Sequence, residues 1–257
     1  MGSVFIGEEN DMDPNIWTFA LVAAITLTAS YIQGATGFGF GIFAMILLPG
    51  ILAYTEANVL SSILSSLSSL FVAILMFRKI NWKNIGFPVA GCLVSTYVAV
   101  SVIKTQSPKA LTLLLGVVLF ALSMYFFFFA DKIKIRPTWY AGLIAGILSG
   151  IMSGMFSMGG PPVVIYFMQS EDNTDGYMAT ISAYFVLSGV IAVSMKAAAG
   201  FVSVPVWIAL AVGVPAMLFG SFVGKRTRDH INAKLIKKIV YGFMAISGVI
   251  HVVTSLV

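Results

Sequence analysis

Gln33-Gly34-Ala35-Thr36-Gly37-Phe38-Gly39-Phe40-Gly41, "QGATGFGFG", lies near the middle of a segment that holds no charged residue from Pro14 to Thr55. That segment is 42 residues long, whereas a helix crosses the hydrocarbon of a bilayer in about 20 residues. Four glycines at the centre of a spanning helix would weaken it, since glycine costs helix stability. The stretch therefore reads as a deliberate break, and the segment as two pieces joined at a non-helical tip.

Outward from this point the chain is uniformly apolar. It is 59% hydrophobic and 10% charged with a mean hydropathy of +0.97, against about 25% charged residues in a soluble domain. Runs free of Asp, Glu, Lys and Arg number eight: 14–55, 57–77, 84–103, 110–130, 137–170, 176–195, 197–224 and 239–257. Six suit one helix each. The first is too long, and so is 137–170 at 34 residues. The chain is thus an integral membrane protein of helices. Residues 1–15 are acidic and lack the basic start of a cleaved leader, so the first run is expected to stay in the mature protein.

The two oversized runs match. Laid on Gln33–Gly41, the stretch Ser153-Gly154-Met155-Phe156-Ser157-Met158-Gly159-Gly160-Pro161 places small residues opposite small residues at most positions. A short apolar piece follows each, then a helix rich in Ser, Thr and Ala, then two further helices around a basic loop. The chain divides into an acidic tail, 1–15, and two membrane repeats, 14–130 and 137–257.

Lysine and arginine counts orient the halves. If each long run crossed once, the basic residues would split 8 against 7 between the two faces. If each is a re-entrant hairpin, each half makes three crossings, the second half is inverted, and the split becomes 12 against 3, with Lys104, Lys109 and Lys196 on the poor side. Cytoplasmic loops carry the Lys/Arg excess. The expected topology therefore has both termini outside and the Arg78, Lys132 and Lys225 loops inside.

A hairpin tip at membrane depth survives only if buried in protein or lining a wet cavity. Each second arm begins at the tip, so its first N–H groups and its positive dipole end point to the midplane. Two such ends converging from opposite faces make an anion site. Gly34, Gly37, Gly39, Gly41, Gly154, Gly159 and Gly160 are expected at this site for their backbone. Gln33, Thr36, Ser153 and Ser157 would add donors, and Phe38, Met158 and Pro161 complete the two tips. Pro161 also suits a first helical turn. Ser61, Ser62, Thr180 and Tyr184 form a second tier along the pathway. Gly142, Gly146, Gly150 and Gly154 recur every four residues and read as helix packing.

No charged residue is expected well inside a run, and no metal cluster or Ser/His/Asp set is visible. The sequence predicts no cofactor and no nucleic-acid partner; Cys92 reads as a small buried hydrophobe.

The paired stretches "GATGFGFGIFAMILLP" (34–49) and "SGMFSMGGPPVVIYFM" (153–168), with Ala57 and Ser61 after the first, resemble the TauE/SafE-type sulfite exporters, also called the toluene-sulfonate uptake permease family. The resemblance implies a transporter of sulfite or organosulfonates in a bacterial or archaeal cytoplasmic membrane. Phe38 and Phe40 stand where that family often has further glycines, and rings there favour a substrate with an organic tail. An anion channel of the same fold and a membrane sulfur-relay enzyme using Cys92 are the alternatives. Small-residue faces also suggest a homodimer.

Overall fold

The computed structural model describes residues 16–129, 136–230 and 233–256. The acidic tail 1–15 and the Lys132 and Lys134 loop positions lie outside these residues. Among the described residues every element is helical: α1 (Ile16–Thr36), α2 (Phe40–Leu47), α3 (Tyr54–Leu75), α4 (Trp82–Ile103), α5 (Pro108–Phe129), α6 (Trp139–Phe156), α7 (Gly160–Ser170), α8 (Thr174–Ala198), α9 (Val204–Thr227) and α10 (Ala233–Leu256). Eight of these are long and apolar enough to cross a membrane; α2 and α7 are not. All four tryptophans, Trp17, Trp82, Trp139 and Trp207, are exposed near helix starts, where indole rings favour a membrane–water boundary.

Both oversized runs break where the glycines stand. Three residues, 37–39, separate α1 from α2, and three, 157–159, separate α6 from α7. The same spacing of 120 positions relates Tyr54, the start of α3, to Thr174, the start of α8. Gly37 turns at φ 84° and Ser157 at φ 56°, both left-handed. Glycine accepts that conformation at no cost, whereas serine holds it against a penalty of roughly 1–2 kcal/mol. The arms are unequal, contrary to the expectation of two half-helices. α1 has 21 residues and α6 has 18, while α2 and α7 have 8 and 11. Nothing breaks the apolar, well-packed first arms before the tips.

Glycines set the closest helix contacts and reveal the helix directions. Gly220 abuts Leu27 and Gly224 abuts Tyr31, so α9 and α1 run parallel. Gly146, Gly150 and Gly154 abut Pro88, Cys92 and Ala99 in turn, so α6 and α4 run parallel. In contrast, Lys196 of α8 reaches Ser62 of α3 while Gly189 abuts Ser66, an antiparallel pair. α5 and α10 are antiparallel too: Gly116 meets Gly248, and Ser123 donates to the Tyr241 carbonyl at 2.7 Å. Exchanging α1–α5 with α6–α10 maps each of these pairs onto another or onto itself. The glycines in these contacts are occupied inside one chain, while Gly86 and Gly242 have nothing within 4 Å of an added Cβ.

Candidate functional site

The two tips touch at the centre of this arrangement. Phe38 packs toward Gly160, and Gly41 lies against the Ser157 carbonyl group. Between the tips and the α3/α8 crossing is a cavity of ≈ 40 Å³. One water needs about 10–15 Å³ by such a measure, so the space suits a few waters or one small oxyanion.

Nine of the eighteen residues anticipated from sequence line the cavity: Gln33, Gly39, Gly41, Ser62, Ser153, Ser157, Met158, Gly159 and Gly160. Gln33 is fixed by α3, its Nε2 donating to Ser69 Oγ at 2.5 Å and its Oε1 accepting from Ser65 at 3.3 Å. Gly159 is fixed by its carbonyl, which accepts from Ser149 Oγ at 2.5 Å; Tyr184 in turn donates to Ser149 at 2.8 Å.

The other nine do not line it. Gly34 seats α1 against Ser221 and Lys225 of α9, and Gly154 seats α6 against Ala99 of α4. Gly37 faces Met178 and Ile181. The Thr36 hydroxyl lies 2.8 Å from the carbonyls of Ile32 and Phe38, so its proton serves the tip backbone rather than the cavity. Pro161 and Phe38 are buried beside the tips. Ser61 is fully buried, Thr180 accepts the Asn81 N–H at 3.0 Å, and Tyr184 is occupied by Ser149. Among the described residues the Ser61 hydroxyl has no hydrogen-bond partner, and none of the three is on the cavity wall. The rings of Phe38 and Phe40 are packed in the core, so the argument they give for an organic tail falls; the ring on the cavity wall is that of Phe185, on α8.

The second tip carries a group that charge counting assigns to an outer loop. Lys196 belongs to the last turn of α8 and is fully buried. Its Nζ donates to Ser62 Oγ at 2.7 Å, Ser157 Oγ at 3.0 Å and the Ser153 carbonyl at 3.1 Å, three acceptors for the three donors of an ammonium group. Among the described residues no carboxylate forms an ion pair with it. Ser157 also lies 2.6 Å from the Asn58 carbonyl and 2.6 Å from Ser62 Oγ. Tyr54 and Asn58 hold the neighbouring Met155 carbonyl at 2.6 and 2.5 Å. Local strain at Ser157 thus coincides with a buried polar network that joins Asn58, Ser62, Ser153 and Lys196, a pairing typical of functional positions.

The two tips offer different donors. In α2 the first amides, from Phe40 to Ile42, precede any intrahelical acceptor. In α7 the second and third residues are Pro161 and Pro162, which have no N–H. The positive end expected at the second tip is therefore depleted, and the Lys196 amino group stands in the same place. Cys92 is buried against α6, 3.5 Å from Thr96 Oγ1 and off the cavity wall, which removes it as a nucleophile for the cavity.

Residues 22–250 match the protein family described as Sulfite exporter TauE/SafE. A relative from Cupriavidus necator named "Probable sulfite/organosulfonate exporter TauE" is 23% identical over 226 residues, covering 86% of this chain and 88% of that protein. No solved structure matches the chain.

Proposed function

The chain belongs to the TauE/SafE sulfite exporter family, and from that membership we propose that it carries sulfite or organosulfonates out across a bacterial or archaeal cytoplasmic membrane. The anion binds where the two hairpin tips meet, and the inverted halves expose that place alternately to either side. The observation that carries this reading is the cavity between the tips with Lys196 buried behind its Ser62 and Ser157 wall. The antiparallel directions of α3/α8 and α5/α10 support three net crossings per half, because four would make both pairs parallel. That topology puts both termini outside. Export of an anion from a negative interior releases about 2.3 kcal/mol per charge per 100 mV, a drive that needs no proton relay.

The test is flux in proteoliposomes. A Cβ at Gly159 would lie 2.8 Å from Ser149 Oγ and 3.0 Å from Ser153 Cβ, so Gly159→Leu fills the tip. Sulfite and sulfonate flux should vanish from a variant that still inserts and folds; normal flux would overturn the site.

A further inference from the structure

We infer that Lys196 makes the cavity selective for singly charged sulfur oxyanions, so that hydrogen sulfite and alkanesulfonates are substrates while sulfate and the sulfite dianion are excluded. This rests on the reading of the cavity as an anion site and adds the charge state of its ligand.

The argument is one of charge balance. Lys196 is fully buried in a spanning helix, where an uncompensated charge is expensive. Its three partners are two hydroxyls and a carbonyl, all neutral. Acidic and titratable groups on the surrounding helices are engaged elsewhere. Glu56, on α3, keeps its charge while accepting from the neutral Ser203 hydroxyl at 2.8 Å and forms no ion pair with Lys196; Tyr54 donates to the Met155 carbonyl, and Tyr184 donates to Ser149. Asp175 sits at the opposite end of α8, paired with Lys79 and Arg228. Among the described residues no carboxylate pairs with Lys196, and the cavity lies one hydroxyl away, behind Ser62 and Ser157. A monoanion there neutralises the ammonium. A dianion leaves a second charge stranded in the same low-dielectric site, where an unpaired ion carries a heavy desolvation cost. The α2 N-terminus offsets at most about half a charge, and α7 offers less because of its two prolines.

The repeat supplies a control for the lysine. At the spacing of 120 positions that relates the two tips, Met76 corresponds to Lys196, and Met76 is likewise buried. Lys196→Met therefore removes the charge, keeps the chain length, and uses a residue the fold already accepts at the matching position.

The experiment compares methanesulfonate, sulfite and sulfate flux in proteoliposomes of the full chain, with protein-free vesicles as background. Methanesulfonate flux should exceed sulfate flux by about tenfold or more, the scale of a lost charge pair. Moving from mildly acidic to mildly alkaline buffer should lower sulfite flux more steeply than methanesulfonate flux, because the charge of methanesulfonate does not change and its flux monitors Lys196 alone. Lys196→Met should lose methanesulfonate flux by a similar factor at unchanged detergent-solubilised melting. Sulfate carried as well as methanesulfonate, or sulfite flux rising with pH, overturns the charge rule alone. Wild-type protein that carries none of the three overturns the transport reading beneath it.

Discussion

Gly41→Ala tests the contact on which the site depends, that of one tip against the other. Gly41 is the second residue of α2, so alanine there improves helix propensity by up to about 1 kcal/mol. Its Cβ, however, would lie 2.8 Å from the Ser157 carbonyl carbon and closer still to the oxygen, where ordinary contact begins at 3.4 Å. The obstacle is backbone, not the end of a flexible side chain, so the tips must part by a good deal more than about 1 Å. Overpacking of this kind costs about 1–3 kcal/mol, which leaves a net loss of about 0–2 kcal/mol after the helical gain. Function suffers more, because a displacement of about 1 Å in a positioned site can cost roughly 100-fold. Sulfonate flux into proteoliposomes and thermal melting in detergent should be read together. Gly86→Ala is the control: it sits in α4 with nothing within 4 Å of the added carbon and should keep flux while melting slightly higher. Wild-type flux in a folded Gly41→Ala protein would show that tip-to-tip contact does not define the site.

Ser157→Ala keeps the left-handed tip but removes the hydroxyl shared by Lys196 and Ser62; flux should fall about tenfold with about 1–3 kcal/mol of lost stability, the range for a hydrogen bond to a charge, and equal flux would refute the network's role. Cys92→Ala should retain flux, since the thiol lies off the cavity wall against Thr96 and Tyr184; abolished flux in folded protein would restore a sulfur-relay mechanism. In that cysteine-free background, Gln106→Cys between α4 and α5 should react with an impermeant thiol reagent in intact cells, and Arg136→Cys before α6 should not. Both residues are exposed, so the reverse pattern would invert the topology.

The breaks are legible because two independent quantities agree: a run length no single helix can use, and glycines at its centre. The matching of Gln33–Gly41 to Ser153–Pro161 is the register the structure keeps, with both loops three residues long. Charge counting misplaces Lys196 for a definite reason. A charge between two apolar runs reads as the boundary between helices, yet α8 continues to Ala198 and the turn comes at Gly200, φ 81°, before Pro205 opens α9. Gly200 and Pro205 are ordinary stop and start signals, and read ahead of the charge they place Lys196 inside α8. Their presence does not say which way the side chain points. Likewise no periodicity distinguishes Ser62, on the cavity wall, from its neighbour Ser61, buried away from it. One step along a helix turns a side chain by about 100°, and only the packed partner decides which face is the wall.

The resulting picture separates scaffold from chemistry. Exchange of the halves preserves helix pairing, loop length and the left-handed turn, so the repeat builds the cavity. It does not build the binding groups. Where the second tip has Ser157, facing Asn58, the first has Gly37, facing Met178; where the last turn of α8 carries Lys196, the matching position just after α3 is Met76. A symmetric donor set would have placed two buried cations at one cavity, and their mutual repulsion at short range is costly in a medium of low dielectric constant. One lysine and one proline-free helix start divide the task instead. The first tip offers backbone amides, the second a single full charge behind hydroxyls. On the proposed reading, an inverted repeat opens to either side in turn while its anion meets one positive centre, on the second tip.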